Sequence, residues 1–321
     1  MKKCRNLQYM PAPNSKSKRI HRLSDRQEAR LLDEDYTKYL GYLRIKDEKG
    51  LIAWANNKQR PIVHFILHRV LKLSDRMSGL RVISLNTTIP EIAKKKPAIY
   101  VITHAGKDDI SVFNQAVNRH FVVLSGDYES LHNNIEGLFT MLNGVIFFDM
   151  NSPSDRKTVI PRVVEALKGG NNILCSMEAA WNLSPNIPVT PLFKGMLLAA
   201  AEADTVIVPV GIERFQKKLY GVNIANEVFD PKVEVIRDNF KAALENLRQR
   251  MASLKLELYF HPEIYSQINV SRKEIGDFEI YRAWFENDIL DEWTFTKEII
   301  ESKGYSRRNC ESTLVDINLW R

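Results

Sequence analysis

Ala98-Ile-Tyr-Val-Ile-Thr-His104-Ala-Gly-Lys-Asp-Asp109 is an apolar run that ends in a histidine, with a glycine and a carboxylate just beyond it. Its β-branched and aromatic residues predict a buried strand. A spacing of five residues does not place His104 and Asp109 on one helix face, but a turn at Gly106 would bring them together. The carboxylate would then lie in the first turn of a helix, where the helix dipole favours its ionised form. The stretch predicts a general base for a hydroxyl or a water, although an N-cap aspartate beside an unrelated surface histidine has the same spacing.

Around this stretch, short β-rich runs alternate with amphipathic segments. The runs cover residues 81–84, 98–103, 121–124, 144–148, 172–175 and 205–211, and the helix candidates cover 110–119, 130–142, 155–168 and 192–203. Such alternation predicts an α/β fold with a mixed, largely parallel sheet flanked by helices. Ligands bind at the carboxyl ends of the strands in these sheets, and His104 follows such an end.

The N-terminal region, residues 1–85, is predicted to be helical and basic. One helix is expected from Ser24 to about Leu43. A second is expected over Ile62–Met77, because Pro61 suits the first helical position. This helix either packs on the core or lies on an anionic membrane surface, where its basic residues would reach lipid phosphates. Those residues are Arg69, Lys72 and Arg76.

Residues 86–254 are predicted to form the α/β core, and residues 255–321 a C-terminal segment that is helical and rich in aromatic residues. The core would end in a charged helix over about 239–256. Whether the C-terminal segment covers the core or forms a dimer contact stays open.

Composition limits the compartment and the partners. Three cysteines are too few for a disulfide framework or a zinc cluster, which favours a cytoplasmic protein. No apolar run reaches the roughly 18–20 residues of a membrane span, so the chain is expected to be soluble or peripheral on the inner face of the membrane. A net charge of +7 favours anionic partners. Nucleic acid is not expected among them, because no zinc-finger spacing or RNA-module signature is present.

Four segments occur in the order typical of one enzyme family. They are His104-Ala-Gly-Lys-Asp-Asp109, Gly144-Val-Ile-Phe-Phe-Asp149, Ser176-Met-Glu178 continuing into Pro191-Leu-Phe-Lys194-Gly195, and Val206-Ile-Val-Pro209-Val. Over roughly residues 85–230 the chain resembles the glycerolphosphate acyltransferase superfamily, which includes bacterial lysophosphatidic acid acyltransferases. The first segment is similar to that family's histidine-x4-aspartate motif.

The resemblance implies that His104 is the general base and that Asp109 orients it. Six further residues would bind substrate: Asp149, Glu178, Trp181, Lys194, Lys107 and Arg156. No metal and no cofactor are implied, since acyl-CoA or acyl carrier protein enters as a co-substrate. No Gly-x-Ser-x-Gly motif is present, in agreement with a reaction that forms no acyl-enzyme.

The second and third motifs depart from the family pattern. Met150 replaces an arginine, Ala179 and Ala180 replace glycine and threonine, and Trp181 stands where an arginine is usual. Loss of these arginines removes a bidentate phosphate clamp. Trp181 would suit a bulkier or more apolar acceptor. Alternatively, the missing charge would come from Lys107, Arg156 or Lys194.

The expected function is transfer of a fatty acyl group from an acyl thioester to a hydroxyl or amine of a lysolipid-like acceptor, on an anionic membrane surface. Acyl carrier protein is a possible partner. The altered third motif leaves open a catalytically altered lipid-binding or scaffold protein of the same fold. A hydrolase in which His104 activates water would use the same residues.

Overall fold

A computed structural model describes the parts of the chain that position the sequence motifs. The described residues are 36–52, 61–106, 108–126, 128–132, 135–148, 153–178, 182, 188–216, 218–235, 239–259 and 261–263. They fall into two compact units. The first comprises the described residues up to Leu67 together with His120–Ile173, and the second comprises His68–Arg119 together with the described residues from Leu174 onward. The predicted division at residues 85 and 254 stays a prediction.

Seven strands form a mixed, mostly parallel sheet flanked by helices, which confirms the predicted α/β class. The strands are β1 Arg81–Asn86, β2 Ala98–Ile102, β3 Phe121–Ser125, β4 Val145–Phe147, β5 Asn172–Cys175, β6 Val206–Gln216 and β7 Leu219–Ile224. In the second unit the strand order is β1-β7-β6-β2, and in the first unit β3 pairs with β4. The pairs β1–β7, β2–β6 and β3–β4 are parallel, and β6–β7 is antiparallel.

The helices in the described residues are α1 Tyr36–Asp47, a π-helix Glu48–Ile52, α2 Pro61–Met77, α3 Glu91–Lys95, α4 Asp109–Ala116, α5 Tyr128–His132, α6 Ile135–Asn143, α7 Pro153–Lys168, α8 Gly195–Glu202, α9 Pro231–Glu234 and α10 Phe240–Tyr259. The predicted helices lie close to their predicted positions, and the π-helix, α3 and α9 were not predicted. The helix predicted from Ser24 agrees with α1 over its second half, and its first half lies outside the described residues. The single helix predicted over 130–142 is instead two helices, α5 and α6.

Strand β7 was missed by the sequence analysis, and β6 is longer than predicted. β6 continues past the predicted end at residue 211 to Gln216, through a Glu213-Arg214 pair that interrupts the apolar run. All six residues of β7 are buried, although the sequence Leu219-Tyr-Gly-Val-Asn-Ile224 contains a glycine and an asparagine. Tertiary burial overrides the weak local preference of these residues for strand.

Helix α10 packs closely on β6 at a glycine. A Cβ at Gly211 would lie 2.9 Å from backbone and side-chain atoms of Leu254 and from the backbone nitrogen of Lys255. Glycine therefore permits the close approach of helix and strand. Leu247, Met251 and Leu258 of α10 are fully buried, so this helix covers the sheet of the second unit.

No helix within the described residues combines the length and the apolar character that crossing a membrane would require.

Candidate active site

Strand β2 places His104 two residues beyond its carboxyl end. All five residues of β2 are buried, and Ile102 lies opposite Val210 of β6. Thr103 extends this pairing, because its hydroxyl donates to the carbonyl oxygen of Ile212 at 2.6 Å and accepts from the backbone N–H of Ile212 at 2.7 Å. The chain then leaves the sheet at His104, as the sequence analysis expected.

His104 and Asp109 are in direct contact. The Nδ1 atom of His104 lies 2.7 Å from Oδ2 of Asp109, the first residue of α4. The same oxygen accepts from the backbone N–H groups of Ala105 at 2.9 Å and Gly106 at 3.2 Å. The turn at Gly106 thus forms the expected connection, and one carboxylate oxygen holds both the imidazole and the loop that carries it.

The two side chains differ in exposure. The His104 side chain is 27% exposed, whereas that of Asp109 is 2% exposed. Burial raises the pKa of the Asp109 carboxyl, and the hydrogen bonds from His104, Gly106 and Ala105 only partly oppose this rise. A solvent-accessible imidazole is therefore backed by a buried carboxyl group, an arrangement that can fix the tautomer of a base and stabilise its protonated form.

Glu178 holds the backbone of His104 in place. Its side chain is fully buried, and its Oε1 accepts from the backbone N–H of His104 at 2.9 Å. Its Oε2 accepts from the backbone N–H of Thr190 at 2.7 Å and from the Thr190 hydroxyl at 2.9 Å. The backbone N–H of Asn182 donates to the carbonyl oxygen of His104 at 2.6 Å. Glu178 thus acts on the site through His104, and the predicted contact of Glu178 with substrate stays a prediction.

The other predicted site residues are placed as follows. Lys194 is exposed and immediately precedes α8 in the second unit, next to Phe193, whose N–H donates to the carbonyl oxygen of Met177 at 2.9 Å. The residue before Lys194 is therefore hydrogen-bonded to Met177, the residue before Glu178. Arg156 is exposed on α7 of the first unit. Asp149, Trp181 and Lys107 lie outside the described residues, and their roles stay predictions.

The polar residues that β6 and β7 bring to the His104 loop, residues 104–106, were not predicted from the sequence. The Tyr220 hydroxyl donates to Oδ2 of Asp108 at 3.1 Å, and the Lys218 ammonium lies 3.7 Å from the same oxygen. The Arg214 guanidinium lies over the Tyr220 ring, 5.8 Å from its centroid. Burial raises the pKa of Tyr220, so its hydroxyl stays protonated as the donor to Asp108. In the sequence, the adjacent charged residues Glu213 and Arg214 could have indicated that this part of β6 lies near a polar site.

Neither metal chemistry nor a cysteine nucleophile is suggested by the described residues. Within them, no group of three or more His, Cys, Asp and Glu side chains is arranged to hold a metal ion. Burial raises the pKa of the Cys175 thiol to about 12, so that it stays a neutral thiol near pH 7. A thiolate is the nucleophilic form of cysteine, and Cys175 therefore serves as buried apolar filling.

Comparison with known protein families gives a match over part of the chain. The acyltransferase family model matches residues 84–213, from β1 into the second half of β6. The matched residues include His104, Asp109 and Glu178. The resemblance to the glycerolphosphate acyltransferase superfamily, drawn from the four motifs, is confirmed for this segment.

Among solved structures, the 1-acyl-sn-glycerophosphate (LPA) acyltransferase PlsC from Thermotoga maritima is similar to this chain at 17% sequence identity. The similarity covers 69% of this chain and 83% of that chain, with a TM-score of 0.46. Curated proteins give no match.

Proposed function

We propose that this acyltransferase moves a fatty acyl group from an acyl thioester, acyl-CoA or acyl carrier protein, to a hydroxyl or amine of a lysolipid-like acceptor. The contact of 2.7 Å between His104 and Asp109 at a strand end is the observation that carries the proposal. With Nδ1–H donating to Asp109, the unprotonated nitrogen of the imidazole is Nε2, on the other side of the ring. Because the His104 side chain is partly exposed, Nε2 can take a proton from an acceptor.

The reaction proceeds without a covalent enzyme intermediate. His104 Nε2 removes the proton of the acceptor hydroxyl or amine as the acceptor atom attacks the thioester carbonyl carbon. The tetrahedral intermediate then collapses, the carbon–sulfur bond breaks, and the imidazolium returns the proton to the leaving thiolate. The buried Asp109 stabilises the imidazolium between these two steps.

The decisive experiment pairs the wild-type protein with His104→Ala in a panel of acyl thioester donors and lysolipid or amine acceptors, read by mass spectrometry. General-base catalysis contributes roughly 10²–10⁴-fold, so His104→Ala should lose nearly all transfer while unfolding at the same temperature. A folded His104→Ala protein that transfers normally would refute the proposed role of His104.

The same panel separates the competing functions. Lipid binding without turnover of any thioester would indicate the catalytically altered scaffold that the changed third motif leaves open. Free fatty acid released in the absence of acceptor would indicate a hydrolase.

The proposal includes peripheral binding to an anionic membrane at the cytoplasmic face, through α2. In the part of α2 that belongs to the second unit, Leu73 is 60% and Met77 is 81% exposed. The basic residues Arg69 and Arg76 are exposed beside this apolar stripe, whereas Asp75 is buried. An apolar stripe flanked by cations suits the surface of an anionic bilayer.

Vesicle flotation tests this part of the proposal. Each basic residue near an anionic surface contributes about 1 kcal/mol, so Arg69→Gln combined with Arg76→Gln should weaken binding to phosphatidylserine vesicles by more than tenfold. Neutral phosphatidylcholine vesicles serve as the control. Equal binding of the wild type to both vesicle types would contradict the proposal.

A further inference from the structure

The second half of β6 brings Arg214 to the His104 loop, defined as residues 104–106. The parallel register pairs Ile102 with Val210, and Thr103 is bonded to Ile212. Gly106 lies four residues beyond Ile102, and Arg214 lies four residues beyond Val210. A Cβ at Gly106 would lie 3.5 Å from Nη1 of Arg214 and 3.5 Å from the Tyr220 hydroxyl. The guanidinium is therefore in van der Waals range of the loop that presents His104.

Two acidic side chains close to Arg214 each have a lysine partner. The carboxylate of Glu213, its neighbour in the chain, is 2.8 Å from the Lys255 ammonium, which offsets its charge. Asp108 is also close, and the Lys218 ammonium lies 3.7 Å from its Oδ2; among the described residues, the buried Asp109 is a second carboxyl near Tyr220. The Lys218 side chain is 37% exposed, so it can reach a ligand that approaches from solvent.

The Arg214 guanidinium is also held in orientation. It packs over the Tyr220 ring, 5.8 Å from the centroid, and the Tyr220 hydroxyl is in turn bonded to Asp108 at 3.1 Å. A planar guanidinium that is already positioned loses less side-chain entropy when it binds an anion, and its fork of donors matches the oxygens of a phosphate.

We propose that Arg214, assisted by Lys218, binds a phosphate ester group of a substrate next to His104. This proposal rests on the proposed acyl transfer and names the chemical class that the site accepts. Arg214, Lys218 and Tyr220 all lie beyond residue 213, where the match to the acyltransferase family ends. Both the acceptor lipid and a coenzyme A donor can carry such a phosphate, and the experiment distinguishes them.

The test crosses two donors with two acceptors in wild type and Arg214→Gln. The donors are oleoyl-CoA and the phosphate-free oleoyl N-acetylcysteamine thioester, and the acceptors are 1-oleoylglycerol 3-phosphate and 1-oleoylglycerol. Arg214→Gln should raise KM about tenfold or more for the phosphate-bearing form of one substrate, and leave KM for its phosphate-free form unchanged. The substrate that shows this difference is the one whose phosphate Arg214 binds. Equal effects on phosphorylated and unphosphorylated forms, or no effect on any, would overturn the proposal.

The matched control is Lys241→Gln, which removes one exposed positive charge from α10 of the same unit. Lys255 of the same helix contacts Glu213, the neighbour of Arg214. Lys241 is 14 residues away from Lys255, about 20 Å along the helix at 1.5 Å per residue, and is therefore far from the proposed site. Its KM values should equal those of wild type. If Lys241→Gln and Arg214→Gln raise KM equally, the effect is one of net charge and the proposed site is wrong.

Two further variants keep the test decisive if Arg214→Gln fails to fold. Arg214→Lys keeps the charge without the planar fork and should raise KM for the phosphorylated substrate severalfold, and Lys218→Gln should do so by a smaller factor. Folding is checked by circular dichroism. Wild-type KM in both folded variants would overturn the proposal.

Failure of acyl transfer itself is distinguishable. If no donor–acceptor pair reacts, calorimetry with coenzyme A and with 1-oleoylglycerol 3-phosphate still measures binding. Weaker binding of either compound by Arg214→Gln than by Lys241→Gln supports the phosphate site while the proposed reaction fails, and equal binding by the two variants overturns the site.

Discussion

Each of the two units contains an aspartate that is almost fully buried against a basic partner, yet the two pairs are built differently. In the first unit, Asp155 lies 2.8 Å from the Arg44 guanidinium, and the two side chains are 1% and 5% exposed. In the second unit, Asp109 is equally buried, but its partner His104 is partly exposed. Arginine keeps its charge at every accessible pH, whereas histidine gains and loses a proton near neutrality.

The surroundings of the two pairs reinforce this difference. Arg44 also lies 3.3 Å from Glu48 and donates to the carbonyl oxygen of Phe147 at 3.4 Å, and Arg162 donates to the same carbonyl oxygen at 2.7 Å. These bonds connect α1 and α7 to the end of β4. The first pair therefore fixes local structure, whereas the second holds a partly exposed imidazole. A buried aspartate becomes part of a reactive site when its partner can both titrate and reach solvent.

The largest expected effect is on stability, from breaking the first pair. Arg44→Met leaves Asp155 buried without its cation, and loss of one partner of a buried pair costs about 3–5 kcal/mol. Urea unfolding should show this decrease in the free energy of unfolding. The double variant Arg44→Met with Asp155→Leu is the control and should recover most of it, because no buried charge is left unpaired. A decrease below about 1 kcal/mol in the single variant would show that the Arg44–Asp155 pair does not hold the first unit together.

Asp109→Asn should have the opposite profile, with a large loss of rate and little loss of stability. Asparagine keeps an oxygen that can accept from Ala105 and Gly106 but cannot stabilise an imidazolium, so kcat should fall about 10²-fold. Because burial raises the pKa of Asp109, its ionised form costs stability once the pH exceeds the ordinary aspartate range. The neutral amide lacks this cost, and the free energy of unfolding at pH 7 should equal or exceed that of wild type. An equal loss of stability in Asp109→Asn and Arg44→Met would erase the distinction between the pairs.

The pH dependence of the rate sharpens the same distinction. The raised pKa of Asp109 means that this carboxyl takes up its proton at a higher pH than an ordinary aspartate. Protonation of Asp109 removes the carboxylate that stabilises the imidazolium, so kcat/KM should fall as the pH decreases through the pKa of Asp109. Activity is therefore lost as the pH decreases and retained as it increases. Circular dichroism across the same range is the control, since a rate that falls only where the protein unfolds would contradict this interpretation.

The sequence predicted the backbone framework around His104 better than the side-chain environment. Strands β1 to β5 and the position of His104 follow from local apolar runs, which identify strands because burial and β-branching coincide there. Strand β7 was not predicted, since its residues are buried by pairing with β1 and β6, which are distant or antiparallel partners that a local pattern does not encode. The contact of His104 with Asp109 was predicted as one of two alternatives.

The residues that surround the His104 loop could not be predicted for the same reason. Arg214, Lys218 and Tyr220 come to the loop only because β6 pairs with β2 and turns back as β7. Glu178 was identified through its motif, but its bonds to His104 and Thr190 depend on how two loops meet. A motif therefore indicated which residues matter, and tertiary contacts determined what each one touches.

The smallest expected effect comes from Glu178→Gln, which tests whether the His104 backbone needs both carboxyl oxygens. The oxygen of the glutamine amide can still accept from the N–H of His104. The amide nitrogen would then face the N–H of Thr190, and two donors cannot form a hydrogen bond with each other. One buried donor is left without a partner, which costs about 1–3 kcal/mol of stability. Displacement of His104 should lower kcat severalfold without changing KM, because Glu178 acts through the His104 backbone. Thr190→Val is the matched control, since it removes only the hydroxyl bond to Glu178 and should lower stability less and leave kcat nearly unchanged. A rise in KM with unchanged stability in Glu178→Gln would instead show that this side chain contacts substrate, as the motif resemblance implies.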